Sequence, residues 1–411
     1  MTLDFIDQVL ESLKANNLHR HLKTITGAQG PWIELEGLRV LNLCSNNYLG
    51  LATHPRVQEA AARAASTWGC GSGASRLICG NLQLNELLEE KLAAFKGVEA
   101  ALLYGSGYAA NLGIISSLVR SGDYVFSDSL NHASIIDGCR LSKAEIVVFD
   151  HNDMENLEDK LRKISSTSSV QPASRKLIVV DGVFSMDGDL APLPRLVTLA
   201  QRYQAILMVD EAHATGAIGP AGRGVAAHFG LESQVPVIMG TLSKSLGGYG
   251  AFVAGSRKLV EYLTNTSRSF IFSTALPPTV IASALSALEV LEANPSLVDR
   301  LQNNARYFRQ QLNLSGYDTL NSQTQIIPIL VGDATLALEM SHRLLVEGVL
   351  AVAIRPPTVP PGKSRIRVTV MANHTKEDLD FALDAFRKVR AFAGEAVTGI
   401  PRIGTITRSG G

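Results

Sequence analysis

A lysine between two small hydroxyl residues, running straight into a glycine-rich turn, closes one apolar run: GTLSKSLGGYG over residues 240–250, with Lys244 at its centre. Loops at the carboxyl ends of strands are where α/β proteins hold ligands. The amine could be a point charge for phosphate, but the GxxxxGK[ST] spacing of a P-loop is absent. It could also be an ordinary surface lysine, or an amine that forms a Schiff base with a carbonyl. Its company favours the last. The apolar run ILMVD ends on Asp210, with Glu211 and His213 just beyond. A carboxylate at the end of a buried strand is costly unless a positive charge answers it. The pyridinium nitrogen of a pyridoxal cofactor would answer it, and that cofactor needs such a carboxylate to work as an electron sink. The same aspartate could instead cap the helix that follows.

Two further stretches point the same way. In YGSGYAANLG (104–113), Gly105 and Gly107 let the backbone bend so that amides at a helix N-terminus face a phosphate. Such a turn is often only a turn. In SDSLNHASIIDG (127–138), His132 sits in a polar loop after an apolar run. A lone histidine is usually structural, but a flat ring at the edge of a sheet could also stack on a planar cofactor.

The elements that must position these residues are legible as rhythm. Apolar runs at 101–104, 124–127, 146–150, 177–181, 206–210, 237–241 and 251–255 alternate with helical periodicity. Runs without polar alternation predict strands buried on both faces of a mostly parallel sheet, hence an α/β domain over 53–278. Before it, residues 1–52 predict an amphipathic helix (Leu3, Ile6, Leu10, Leu13) and a short strand near Trp32–Leu35. After Pro277 and Pro278 the pattern becomes that of a smaller α+β domain over 279–396: helices from Thr279 and Ser296, strands at 326–331 and 366–370, and a last helix from Thr375. The tail 397–411 has no periodicity and is expected to be disordered.

Composition narrows the classes. The chain has 411 residues, 46% hydrophobic, with 38 basic and 38 acidic side chains, so no general field draws in a polyanion and nucleic acid is not an expected partner. Cys44, Cys70, Cys79 and Cys139 form no CxxC pair, which argues against a zinc site or a disulfide scaffold. Asp4, Asp7 and Glu11 interrupt any signal-like start, and no apolar stretch approaches the roughly 20 residues of a membrane span. A soluble cytoplasmic protein without a metal or membrane partner is the expectation.

Taken in order, SNNYLGL (45–51), SGASRLICG (72–80), NHASIIDG (131–138), DGVFSMDGD (181–189), VDEAHATGAIG (209–219), TLSKSLG (241–247), FSTALPP (272–278) and IRPPTVPPG (354–362) resemble the α-oxoamine synthases. These are fold-type I enzymes dependent on pyridoxal 5′-phosphate, and the resemblance covers nearly the whole chain. It implies that Lys244 carries the cofactor as a Schiff base, that Asp210 pairs with the pyridine nitrogen, and that His132 stacks on the ring. His213 and Ser185 would lie at the phenolic oxygen; backbone at Gly107 and Tyr108, with Thr241, would hold the phosphate. Ser273 and Thr274 would reach the phosphate of a partner subunit, making the unit a homodimer. Arg355 would bind the amino-acid carboxylate, with Asn46 and Thr358 nearby, and Arg20 would meet the acyl substrate.

Within that family the nearest resemblance is to members that join L-alanine to a pimeloyl thioester in biotin synthesis. One reason is Ser75 before Arg76: a threonine there would crowd the alanine methyl. Glycine C-acetyltransferases are the alternative, separable by the acyl donor and amino acid accepted.

Overall fold

A computed structural model describes residues 3, 5–15, 18–166 and 174–397, the last seven by backbone alone. The expected disorder of 397–411 concerns residues that, beyond 397, lie outside those described.

All seven central apolar runs are strands of one sheet, in the order Ala100–Tyr104, Ala251–Gly255, Val237–Thr241, Ile206–Asp210, Lys176–Asp181, Tyr124–Asp128, Glu145–Phe149. Ala251–Gly255 runs antiparallel to both neighbours and the other pairings are parallel. The missing polar alternation has a direct cause. Leu177, Val179, Met208, Val237 and Val253 pack on one face with Ile114 and Ile115. Ile178, Val180, Leu207, Val209, Ile238 and Phe252 pack on the other. Each strand therefore needs apolar side chains in both directions. Glu145–Phe149 departs from that expectation: it is one of the two edge strands, and Ile146 and Val148 are exposed.

The smaller domain holds Ile326–Gly332, Ser364–Thr369 and Val352–Ile354 as an antiparallel sheet, with helices Pro278–Ala293, Ser296–Leu314, Ala334–Val346 and Lys376–Val397. The N-terminal segment does not stand alone. Its strands Ile25–Thr26, Trp32–Leu35 and Leu38–Asn42 form a second sheet closed by Val349–Leu350, which pairs in parallel with Leu41 and Asn42. Trp32 Nε1 donates to Asp378 on the last helix at 2.7 Å, tying the two ends of the chain together. The amphipathic helix expected near the start runs Phe5–Ala15, and none of its residues is buried.

Candidate active site

The carboxyl ends of the central strands converge on a cavity of about 180 Å³ lined by Gly107, Tyr108, Asn111, His132, Ser134, Asp181, Asp210, Ala212, His213, Met239, Thr241, Ser243 and Lys244. Strand register puts Asp181 and Asp210 side by side on adjacent parallel strands. Two roomier clefts, of about 490 and 520 Å³, are lined by alanines, other apolar residues, arginines and glutamates and bring together no comparable chemistry.

Lys244 lies in the turn between Val237–Thr241 and Ala251–Gly255. The turn is pinned from inside: Thr241 Oγ1 donates to the Gly250 carbonyl at 2.9 Å, and Leu242 and Gly250 pair through their backbones. Gly247 has φ +65°, and a Cβ there would sit 2.3 Å from the Ala52 amide nitrogen, so only glycine lets the turn pack on residues 51–52. Burial holds the Lys244 amine down to about 8; Asp210 and Asp181 oppose that effect, while the Arg367 guanidinium adds to it. Near neutrality a useful fraction is an unprotonated base and nucleophile.

Asp210 is 3% exposed and fully engaged. Asn111 Nδ2 donates to Oδ2 and the Ala212 amide to Oδ1, each at 2.8 Å. The local bond to Ala212 is the turn-capping role open to it from sequence, and the bond from Asn111 orients its other oxygen. Asn111 Oδ1 is itself buried without a partner. Asp181, absent from the residues expected at the site, is pushed well above the usual carboxylate range by burial and then by the charge on Asp210. Its Oδ2 accepts the His132 amide at 2.7 Å, which fixes the loop carrying that ring.

His132 begins the helix Ala133–Ser142, and its Nδ1 accepts the Ser134 amide at 3.2 Å. The neutral ring therefore carries its proton on Nε2. Burial lowers its pKa, with Asp210 pulling it up and Lys244 pushing it down. Gly107 and Tyr108 open the helix Gly107–Leu118, capped by Ser106, whose hydroxyl accepts the Ala109 amide at 3.1 Å. Their amides remain at a positive helix end suited to an anion. The Tyr108 hydroxyl points away, donating to Asp137.

A second group meets the cavity at His213, with Tyr48 and Asn46 from the N-terminal segment and Arg367 from the smaller domain. His213 Nδ1 meets the Tyr48 hydroxyl at 2.7 Å. Tyr48 donates to Asn46 Oδ1 at 3.1 Å, and Arg367 Nη2 donates to the same oxygen at 3.4 Å. The tyrosine oxygen thus accepts from His213 Nδ1–H, leaving His213 Nε2 a lone pair. Burial, then Lys244 and Arg367, drive the His213 pKa well below its ordinary value, so the ring is neutral. Arg367 is 7% exposed, and its Nε donates to the Ser185 carbonyl at 2.6 Å. From the strand Ser364–Thr369 it stands just outside the cavity lining, close enough for its charge to act on Lys244 and His213. Sequence reasoning put the carboxylate-binding role on Arg355.

Seven of the expected residues line the cavity: Gly107, Tyr108, His132, Asp210, His213, Thr241 and Lys244. Asn46 and Ser185 join through Tyr48 and Arg367. Arg355 is half-buried and Thr358 exposed in the loop after Val352–Ile354, and neither lines the cavity. Ser75 is bridged to Thr274 in a separate small niche that Ser273 and Thr274 help line, both exposed. Arg20 is exposed beyond the first helix.

A strand-end lysine facing an aspartate, under a histidine loop and a helix N-terminus, defines a class. The model of the aminotransferase class I and II family matches residues 39–386, and the chain belongs to that family, in its α-oxoamine synthase branch. The particular relatives are narrower. The 8-amino-7-oxononanoate synthase of Thermoanaerobacter pseudethanolicus is 50% identical over 387 residues, covering 94% of this chain and 97% of that one. That of Geobacter sulfurreducens is 52% identical over 382 residues, covering 92% and 96%. Among solved structures, a serine palmitoyltransferase variant from S. paucimobilis with a bound PLP–myriocin aldimine is similar at TM-score 0.89 and 33% identity, covering 96% of this chain and 98% of that one. An 8-amino-7-oxononanoate synthase from Francisella tularensis is similar at TM-score 0.74 and 27% identity, covering 86% and 99%.

Proposed function

We propose that this chain joins L-alanine to a pimeloyl thioester with loss of carbon dioxide and the thiol, forming 8-amino-7-oxononanoate for biotin synthesis, with pyridoxal 5′-phosphate as cofactor. The observation that carries the chemistry is a lysine amine lowered to about 8 at a cavity shared with Asp210 and His132. The relatives' names carry the choice of substrates.

The residues fit the cofactor. The partnerless buried Asn111 oxygen and the paired strand-end aspartates mark a cavity built for a polar, cationic group. Lys244 would hold its aldehyde carbon, Asp210 its ring nitrogen, and the amides of Gly107 and Tyr108 with Thr241 its phosphate. His132 would lie against the ring and His213 at its phenolic oxygen. When bound, that group supplies an electron-withdrawing ring that stabilises charge left at the amino-acid α-carbon.

The chain's own residues do the remainder. Lys244 takes the proton from Cα, a role suited to an amine that titrates about one unit above neutrality. Arg367 offers a planar fork to the alanine carboxylate, and its bonds to Ser185 and Asn46 fix the plane of that fork. Closing this end with buried Tyr48 and His213 keeps water from the reacting carbon. Ser273 and Thr274, exposed here, would complete the partner's phosphate site in a homodimer.

The test is a matrix of amino acids and acyl thioesters, with product mass and free thiol measured. Alanine with a pimeloyl thioester should give the 8-amino-7-oxononanoate mass and exceed glycine with acetyl-CoA by roughly tenfold or more in kcat/KM. Faster turnover of glycine with acetyl-CoA would overturn the substrate assignment.

A further inference from the structure

His151 lies just past the edge strand Glu145–Phe149, outside the cavity, yet it touches both loops that shape it. Its Nδ1 meets Asp128 Oδ1 at 3.0 Å and its Nε2 meets Asp189 Oδ2 at 2.9 Å. A carboxylate accepts, so both ring nitrogens donate and the ring is a cation. Burial opposes the charge, but the two carboxylates hold the ring protonated up to about 10.

Each carboxylate belongs to a functional loop. Asp128 Oδ1 also accepts the Leu130 amide at 2.8 Å, two residues before His132. Asp189 ends the DGVFSMDGD stretch, which carries the Ser185 carbonyl held by Arg367. Asn152 doubles the link, its amide on Asp128 Oδ2 at 2.9 Å and its Nδ2 on Asp189 Oδ2 at 2.8 Å. Asp189 Oδ1 is buried without a partner, so the charge of that group is answered through Oδ2 alone. The His151 ring also stands edge-on to Phe184, 4.3 Å between centroids, which fixes its plane. From the other side Arg365 grips the same loop, donating to the Met186 carbonyl at 3.0 Å and to Asp187 at 2.6 Å.

We propose that His151 is a positioning residue: as a cation between two carboxylates it clamps the His132 loop to the Ser185 loop, and so places Arg367 for the amino-acid carboxylate. This rests on the reading of Arg367 given under the proposed function. Asn152 spans the same two carboxylates without a charge; the two-sided cation adds charge-assisted bonds that hold their separation.

The test compares holoenzymes. His151→Phe keeps a flat ring beside Phe184 but no donors; His151→Arg restores a planar cation with donors on both sides. Without substrate, hydrogen exchange over 129–132 and 182–190 should quicken roughly fivefold or more in His151→Phe. With substrates, KM for alanine should rise about tenfold while KM for the thioester and cofactor content stay within about twofold. His151→Arg should recover most of both effects.

Equal losses in both KM values, cofactor content and thermal stability would make His151 a general stabilising residue and overturn the proposal. So would faster exchange with an unchanged alanine KM. If wild type turns over no alanine at all, the proposed function falls, and the exchange measurement still decides whether the clamp exists.

Discussion

At the scale of single residues, the site is a balance of charges in a space too dry to leave any unanswered. Lys244, Asp210 and Asp181 share it, and burial is the largest influence on both Lys244 and Asp181. The sign of the lysine shift yields a stability prediction for the cofactor-free protein. Folding lowers the pKa from 10.5 to about 8, so folding disfavours the ammonium. That cost is fully present below the folded value and disappears above the unfolded one. Lys244→Met removes the group. Without cofactor, the variant should exceed wild type by roughly 2–3 kcal/mol near pH 7, and the gap should close as pH rises towards the ordinary lysine value. Urea unfolding at the two pH values reads it. A variant no more stable than wild type near neutrality would mean that Asp210 and Asp181 already compensate the ammonium. His151 has the opposite sign: its pKa is raised to about 10, so its stabilisation is complete below 6.5 and lost as pH rises through about 10. The two effects can therefore be told apart by direction.

At the scale of elements, the two candidate arginines separate. Arg367 lies within the strand Ser364–Thr369, where Ile327 opposite Val368 and Ile329 opposite Ile366 fix the register. Ile366 and Val368 face the core, and the two-residue period sends Arg365 and Arg367 the other way, on to the loop 185–187. Arg355 lies in a loop beyond a three-residue strand. Arg367→Ala should raise the alanine KM by about tenfold to a hundredfold, in keeping with loss of a charge-assisted fork, and Arg355→Ala by far less. Steady-state kinetics at saturating thioester measures both, and the reverse order would return the carboxylate to Arg355. The signal was in the sequence: alternating Arg-Ile-Arg-Val in a strand puts both guanidinia on one face. The motif IRPPTVPPG draws attention to Arg355 because a proline-flanked basic residue looks special, whereas an arginine in a strand looks like surface. Legibility followed the same line elsewhere. The seven central strands could be read because two packed faces force unbroken apolar runs. Lys244 and Asp210 could be read because each ends such a run on a charge. The pairing of Leu41 and Asn42 with Val349 and Leu350, some 300 residues away, could not be read, since a two-residue strand carries no period. Asp181 and Tyr48 were missed because each lies inside a quoted motif with no mark of its partner, and partners across the fold are set by topology.

At the scale of the molecule, what one chain leaves uncovered sets the last prediction. The helix Phe5–Ala15 buries none of its residues, although Phe5, Ile6, Val9 and Leu10 are apolar and exposed. Around Ser75 and Thr274, bridged to each other, Leu77, Ile78 and Phe272 are also exposed, Ile78 by 80%. Exposed apolar side chains of this kind are what an interaction face would cover. Ser273 and Thr274 sit on it, away from their own chain's cavity. A C2 dimer would let each chain lend these hydroxyls to the other's site. Complementation decides this better than size alone. Lys244→Ala loses the amine in its own cavity, and the double variant Ser273→Ala with Thr274→Ala loses the hydroxyls lent across the interface; each should be nearly inactive as a homodimer. In a heterodimer of the two, one site has the lysine from one chain and intact hydroxyls from the other. Half the dimers of an equal mixture are mixed, each with one intact site of two, so re-equilibrated protein should recover about a quarter of wild-type activity. Light scattering and native mass spectrometry confirm that mixed dimers have formed. No recovery, with mixed dimers present, would mean that each cavity is completed by its own chain.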